Sequence, residues 1–473
     1  MIKLMRPIFT ACAVFSAGCL QAETLDLTAK SRASVGLAIY NENLALVNDA
    51  YVVRLPAGQS ELNFSAVSPL IDFTSAVLHP LPETLSVFRQ YFREAMTPEA
   101  VLINAVGQMV SLVRTHPVSG DQTYERARIL SVSGGLILEI DGRYETSLAG
   151  RRIVYDNLPS GLFKPTLSIG VDSAVDAQLQ LVLSYLTGGL SWRANYVAQL
   201  NESRDALQLR AMASIENHSG VDYGDVKIDL IAGSINRVQN HIAPRRTSVS
   251  AAMMDSETSI SPVPLADLYS YSLPHTVDLA NTSVRQVELF EARDVPVEQL
   301  YLLAGLSNVY YSPNVPEQKL KVDSYIEFAN MLDQHLGIPM PAGIVRVYAK
   351  NNSQPGSLRF IGEDRVGHVP AGDRIRLKTG KAFDLRGSRK QLAYRRLPVE
   401  APFRQHNEAQ IQVVLSNAKQ TPVIIQVQEI FSGEWLLIDG PEPIESDAHS
   451  ARWNILVPAQ GEAKLDLTVR VKR

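Results

Sequence analysis

The chain has 473 residues, of which 45% are hydrophobic and 20% are charged, and this composition is typical of a globular protein. It excludes collagen-like, coiled-coil and wholly disordered chains, and at about 150 residues per domain the length predicts roughly three structural units. The 45 Lys and Arg residues against 49 Asp and Glu residues give a net charge of -4. This charge is too small to indicate a polyanionic partner for the molecule as a whole.

The first residues have the order that is typical of a signal peptide. Lys3 and Arg6 precede an apolar run over 7–20, and Ala22 is followed by the first acidic residue. The run is shorter than the ~20 residues that span a bilayer. We therefore predict no transmembrane helix, cleavage after Ala22, and export to the periplasm or the exterior. The alternative is a lipoprotein signal, in which a lipidated Cys19 anchors the chain to the outer membrane.

Both cysteines of the sequence, Cys12 and Cys19, lie inside this first segment. Cleavage after Ala22 would leave a cysteine-free mature chain, whose stability would rest on buried area without disulfides. Cysteine nucleophiles and cysteine-based metal sites are excluded with them.

Alternation of apolar and polar residues with a period of two dominates the chain, and this period is typical of β-strands. It predicts a long strand over 175–185 and a hairpin with arms at 192–200 and 207–215. A further strand is predicted at 226–232. Strands spaced this closely predict an antiparallel sandwich.

Residues 97–155 predict a small separate block. Thr97 and Pro98 are suited to a helix N-cap and a first helical position, and the helix is expected to end near Ala105. Strands separated by tight turns are predicted after it at 109–114, 126–132, 136–140 and from Arg143. We interpret this block as a small β-barrel or meander.

The second half of the chain predicts more strands around one irregular segment. Residues 236–261 show no apolar period, which predicts a mobile insertion. Alternation in the tail predicts a separate Ig-like sandwich. The strands expected here are 284–290, 321–328, 344–348, 374–378, 411–415, 423–427 and 465–471.

The predicted fold class is therefore all-β and mainly antiparallel, with several β-sandwich domains, a small β-barrel-like insert and a C-terminal Ig-like sandwich. The predicted division is a signal peptide 1–22, an N-terminal β unit 23–96, the barrel or meander 97–155, a central β-sandwich region 156–400 and the Ig-like unit 401–473.

Catalytic and cofactor motifs are absent from the sequence, including the phosphate loop, the dinucleotide fingerprint, HExxH and the EF-hand loop. Ser416 and Lys419 match SxxK but fall between two predicted strands, which favours a hairpin turn. The adjacent Glu363 and Asp364 follow a glycine, and solvated acids are the better interpretation. We predict no catalytic residue, no cofactor and no metal site.

One stretch of the chain is rich in cations. Between 373 and 396 there are nine Lys and Arg residues and two acids. Because Arg374, Arg376 and Lys378 alternate with apolar residues, they are expected to share one solvent-facing side. A charged edge strand would explain this pattern. The alternative is an anion-binding surface, for which the candidate residues are Arg374, Arg376, Lys378, Arg386, Arg389 and Lys390.

Four segments together resemble an exported bacterial family of unknown function that includes mucoidy inhibitor A-like proteins. They are YLTGGLSWRANY at Tyr185–Tyr196, FEARDVPV at Phe290–Val297, IGED at Ile361–Asp364 and KAFD at Lys381–Asp384. The resemblance implies a β-rich envelope protein and carries over no catalytic residues. The coiled-coil region of the mucoidy inhibitor branch is absent from this sequence.

We expect an exported β protein of the cell envelope that acts by binding or scaffolding without catalysis. The alternative is a hydrolase of glycans or peptides whose site is assembled from residues distant in sequence. The expected partners are an anionic envelope glycan, lipopolysaccharide or an envelope protein, and nucleic acid is not expected after export.

Export has a direct test. In protein isolated from its native host, mass spectrometry should find a mature chain that begins at Glu23, because the charged start, short apolar run and Ala22 fit a cleaved signal. A mature terminus at a lipidated Cys19 would contradict this expectation and show an outer-membrane anchor.

Overall fold

The computed structural model describes residues 23–80, 82–95, 97–156, 164–236, 262–265, 268–305, 307–350, 357–399 and 401–473. Strands make up about 65% of the chain and helices 4%, so the predicted all-β, mainly antiparallel class is confirmed. The predicted signal peptide 1–22, with Ala22 and Cys19, lies outside the described residues. So does the predicted insertion, apart from Asn236.

The strands follow the predicted alternation closely. In the first part of the chain they are β1 (Glu23–Leu27), β2 (Arg32–Tyr40), β3 (Ala45–Leu55), β4 (Gly58–Phe64), β5 (Ile71–His79), β6 (Leu85–Arg93), β7 (Met109–Thr115), β8 (Gln122–Ser131), β9 (Ile137–Ile140), β10 (Arg143–Glu145), β11 (Arg152–Val154) and β12 (Thr166–Ser173). The middle part contributes β13 (Ala177–Thr187), β14 (Leu190–Leu200), β15 (Ala206–Asn217), β16 (Tyr223–Ala232), β17 (Val263–Leu265), β18 (Leu268–Ser272), β19 (Val277–Leu279), β20 (Ser283–Pro296) and β21 (Glu298–Ala304).

The last part contributes β22 (Gln318–Ala329), β23 (Gly343–Lys350), β24 (Leu358–Val366), β25 (Arg374–Arg396), β26 (His406–Asn417), β27 (Val423–Ile430), β28 (Glu434–Asp439), β29 (Glu445–Ser446), β30 (Ser450–Val457) and β31 (Gly461–Lys472). Short 3-10 turns lie at Ala29–Ser31, Ser307–Tyr310 and Leu332–Gln334. The α-helix α1 (Pro98–Asn104) begins as predicted, because the Thr97 side chain accepts a hydrogen bond from the Ala100 amide.

The described strands form five sheets, none of which closes into a barrel. Sheet A has the order β1-β4-β12-β6, and sheet B has the order β17-β18-β16-β2-β3-β13-β5 with β19 beside β16. Sheet C is β10-β9-β8-β7-β11, and sheet D is β20-β15-β14-β23-β24. Sheet E has the order β28-β31-β26-β25-β22-β21-β27-β30-β29. Among these ladders, β1–β4, β2–β16, β14–β23 and β21–β27 are parallel, and the others are antiparallel.

Among the described residues, three hydrophobic cores hold the sheets together. The first core combines the apolar faces of sheets A, B and D with one end of β22 and β25 from sheet E, and it includes Trp192 and Tyr196 from the predicted hairpin. The second core lies within sheet E and includes Trp453. The third core joins sheet C to Ala105 at the end of α1. Trp192 and Trp453 are therefore core residues, as their positions in apolar alternation predict.

Sheet C corrects the prediction of a barrel-like insert. Strands β7 to β10 are an antiparallel meander, and β11 pairs with the other side of β7. Strands β10 and β11 are three residues long each and lie at opposite edges of the sheet. The sheet stays open because its two edge strands do not pair with each other.

Strand pairing crosses the predicted domain boundaries. Strand β25 pairs with β26 across residue 400, so the predicted Ig-like unit shares sheet E with strands before it. Strands β4 and β6 of the predicted N-terminal unit both pair with β12. The proposed division into domains stays a prediction. The structure itself groups the buried residues into the three cores.

Strands β15 and β26 are both twelve residues long, and each ends at a buried asparagine. The Asn217 amide donates to the carbonyls of Val221 and Leu279, and it ends the twelve-residue β15. The Asn417 amide donates in the same way to Thr421 and Pro458 at the end of the twelve-residue β26. Each side chain satisfies turn carbonyls that would otherwise be buried without a partner.

The first core also contains a buried ion pair. The Arg32 guanidinium lies 3.0 Å from the Asp49 carboxylate and donates to the Ala66 carbonyl at 3.1 Å. Burial raises the pKa of Asp49 to about 7, although Arg32 opposes this shift. The tyrosine rings of Tyr51 and Tyr185 are buried in the same core. Asp49 is fully buried and does not reach the surface, so it is a structural group.

This carboxylate predicts a specific pH dependence of stability. The folded state holds the Asp49 proton more tightly than the unfolded chain, whose Asp pKa is ~3.9. The free energy of unfolding should therefore fall as pH rises from about 4 to about 7, by up to about 4 kcal/mol at ~1.4 kcal/mol per pKa unit. Denaturant titrations of Asp49→Asn should lack this fall, because an amide does not ionise. The exposed Asp333→Asn is the control, and equal slopes in Asp49→Asn and wild type would contradict the prediction.

Candidate anion-binding surface

The predicted cations all lie on β25, which pairs with β22 in sheet E. Side chains of these strands alternate between the cores and an outer face. The register places Lys321 opposite Arg386, Lys319 opposite Ser388, and Glu327 opposite Arg376. A single sheet surface therefore presents groups that lie about 60 residues apart in sequence.

Arg374, Arg376 and Lys378 share the outer face as predicted, and each has a carboxylate partner on β22. Arg374 and Arg376 bind the two oxygens of Glu327 at 3.0 and 2.8 Å. Lys378 donates to Asp323 at 2.6 Å. Two acids thus neutralise most of the charge of these three cations.

The electrostatics of these pairs agree with their geometry. Partial burial opposes ionisation of Glu327, yet the hydrogen bonds from Arg376 and Arg374 hold its pKa below the ordinary value. The hydrogen bond to Asp323 raises the pKa of Lys378. Both groups stay charged and paired at neutral pH, so this part of the face has little charge left for a ligand.

Arg389 does not lie on the outer face. Its side chain is 1% exposed in the second core, where it pairs with the equally buried Glu429. The Tyr310 hydroxyl donates to the same carboxylate at 2.8 Å. Gly305 leaves room for this carboxylate, since a Cβ there would lie 2.8 Å from its oxygens. Arg389 is therefore a structural residue that a surface ligand cannot reach.

Arg386 and Lys390 of the predicted set are exposed on the outer face, as are Lys319 and Lys321 on β22, and we call these four residues the basic stripe. Within the part of the chain that the structure describes, none of the four forms an ion pair with a carboxylate. Two belong to the predicted set, and Lys319 and Lys321 on β22 were missed. The Lys-Leu-Lys-Val alternation at 319–322 was visible in the sequence, but its alignment with β25 was not.

The centre of the basic stripe is a pair of like charges. Lys321 and Arg386 are directly opposite each other, and side chains at such positions have Cβ atoms about 5 Å apart. Two cations at this separation repel, which destabilises the sheet unless an anion lies between them. The Ser388 hydroxyl is on the same face, two residues from Arg386. The arrangement can hold a phosphate, sulfate or carboxylate group by charge-assisted hydrogen bonds.

Acidic groups border the basic stripe on the far side. Ser416 on β26 separates Arg386 from Glu462 on β31, which is about 10 Å across two strand spacings. Glu462 accepts a hydrogen bond from Ser416 at 2.8 Å, and Asp466 accepts one from Gln412 at 2.8 Å. These acids are engaged with their own neighbours and set one limit of the basic surface.

The residues considered for catalysis are kept apart. Ser416 donates to Glu462, whereas Lys419 donates to the Tyr301 hydroxyl at 2.5 Å, so the SxxK residues do not contact each other. Asp364 accepts from the Lys378 amide, and Glu363 pairs with Arg346. Each carboxylate has a structural partner in β24 and its neighbours.

Trp435 is half-buried and stacks on Phe431 with ring centroids 4.5 Å apart. Its indole donates to the Asp447 carbonyl. None of the described helices has the length and apolarity to cross a membrane.

No family model matches the chain, and no curated protein matches it significantly. The basic stripe therefore has to be interpreted from its own geometry.

Neutralisation by Glu327 can be tested by removing its charge. Glu327→Gln should bind an anionic-glycan column more tightly and elute at higher salt, because Arg374 and Arg376 lose their carboxylate partner. Glu298→Gln is the matched control, since Glu298 lies opposite Glu327 on β21 and its loss changes the net charge equally without freeing these arginines. Elution of both variants at the same salt concentration would contradict the prediction.

Proposed function

We propose that this protein acts in the cell envelope by binding an anionic polymer or surface through the basic stripe, without catalysis. The observation that carries the proposal is the pair Lys321 and Arg386, which are directly opposite with no carboxylate partner among the described residues. The alternative that these cations protect an exposed sheet edge does not explain this pair. Strand β25, which carries Arg386, pairs with β22 on one side and with β26 on the other and is therefore not an edge strand.

The local field explains how an acidic chain can bind an anion. The net charge of -4 is spread over 473 residues, whereas the four cations of the basic stripe lie within two strands. At ~0.15 M salt the Debye length is about 8 Å, so a ligand at the stripe senses mainly these nearby cations. Binding should weaken as salt rises.

The envelope location rests on the first segment of the sequence. Its charged start and short apolar run favour a cleaved signal and export to the periplasm or the exterior, with lipidation at Cys19 as the alternative. The resemblance to the exported family supports the same location. The second core, which is built from strands of sheet E, also supports an Ig-like interpretation of the C-terminal part.

In such a compartment the anionic groups within reach are those of envelope glycans, lipopolysaccharide and lipid headgroups. The cations Arg374, Arg376 and Lys378 flank the stripe along β25, but Glu327 and Asp323 neutralise most of their charge. The first contact is assigned to Lys319, Lys321, Arg386 and Lys390.

The double variant Lys321→Gln and Arg386→Gln tests the proposal. It should reduce affinity for lipopolysaccharide at low salt about tenfold, or ~1.4 kcal/mol, because the central charges of the stripe are lost. Arg128→Gln with Arg143→Gln on sheet C is the matched control, with an equal change of net charge. Binding is measured by surface plasmon resonance and stability by thermal unfolding. Equal losses in both double variants, with unchanged unfolding, would contradict the proposal.

A further inference from the structure

The strand pair that carries the basic stripe contains an unusual bulge. Lys321 is opposite Arg386, and Asp323 is opposite Lys381, so four residues of β25 face the single Val322 of β22. Such irregularities redirect side chains and are enriched at functional places in sheets. The bulge lies at the end of the stripe beside Arg386.

The four bulge residues divide between core and solvent. Leu385 is buried in the second core, and Ala382 packs against the same core. Phe383 points away from both cores and is 89% exposed. Leaving a phenylalanine in water forgoes about 1.5–3 kcal/mol of burial free energy. The bulge is thus held to the core by its neighbours while it presents one aromatic ring outward.

The charges around this ring are mainly positive. Lys381 and Arg386 are exposed on either side of Phe383, within about 10 Å along the strand. Lys321 lies opposite Arg386. Asp384 is the one acid of the bulge and is also exposed. An apolar tip among cations is complementary to a surface with anionic groups above an apolar layer.

We propose that the anionic group bound by the basic stripe belongs to an amphiphile in a membrane surface, and that Phe383 enters the apolar layer beneath the headgroups. This inference rests on the proposed function and names its ligand class. The cations attract the headgroups, at about 1 kcal/mol for each Lys or Arg near an anionic surface. The ring adds an apolar contribution that salt does not screen.

Comparing binding to a soluble anion with binding to a membrane distinguishes the contribution of the cations from that of the Phe383 ring. The full-length protein is titrated with inorganic polyphosphate and with vesicles of equal parts phosphatidylglycerol and phosphatidylcholine. Phe383→Ser should lower vesicle affinity about tenfold, as expected from the lost insertion of a ring, and should leave polyphosphate binding unchanged. Val118→Ser, at a 90% exposed apolar residue in the turn between β7 and β8, should change neither.

A second variant gives a direct signal. In Phe383→Trp, the added indole emission should shift to shorter wavelength on these vesicles relative to wild type, and polyphosphate should cause no such shift. Vesicle binding by Phe383→Ser equal to wild type would overturn the amphiphile inference and leave the proposed function standing. If Phe383→Ser lost binding to a soluble polyuronate in addition to vesicles, the Phe383 ring would be assigned to sugar stacking. That result would overturn the inference. Failure of the wild type to bind polyphosphate, polyuronate and vesicles would overturn the proposed function itself.

Discussion

The hydrogen-bonded pairing of β22 with β25 connects the two large cores of this protein. Ile326 and Ile375 are buried in the first core, whereas Val322 and Leu385 on the same two strands are buried in the second. The pair therefore fixes how the two cores are placed along sheet E. Its bulge lies where the strands pass from one core to the other, and the basic stripe begins there. The basic stripe lies over the second core at this junction, because Val322 and Leu385 beside its cations are buried there.

Period-two alternation was sufficient to predict most strands and the core tryptophans, because each depends only on residues near in sequence. It also contained a signal about Arg389, whose position has the opposite parity to Arg386 and Lys390 and so belongs to the buried face. The pairing of β22 with β25 could not be predicted in this way, because register depends on contacts between distant segments. Lys319, Lys321 and the carboxylates that neutralise Arg374 and Arg376 were missed for that reason.

Each large core holds an arginine paired with a carboxylate beside tyrosine rings, Arg32 with Asp49 and Arg389 with Glu429. Desolvation of two charges offsets much of their attraction, so such pairs add little net stability compared with apolar residues. Loss of one partner, however, leaves an uncompensated charge and is strongly destabilising. In a fold with many similar alternating strands, these pairs penalise wrong registers more than they strengthen the correct one. The exposed ion pairs on β25 impose no such penalty on a wrong register, because water solvates the two charges when the pair is broken.

The parallel pairing of β2 with β16 has a consequence for the time course of folding. Gly36 of β2 is opposite Lys227 of β16, so sheet B stays incomplete until the second strand has been made. At synthesis rates of about 5–20 residues per second, this delay is on the order of 10 to 40 s. During that interval β2 keeps one side of its backbone unpaired and its apolar face uncovered. During synthesis, the N-terminal strands are therefore open to non-native pairing for longer than the C-terminal strands.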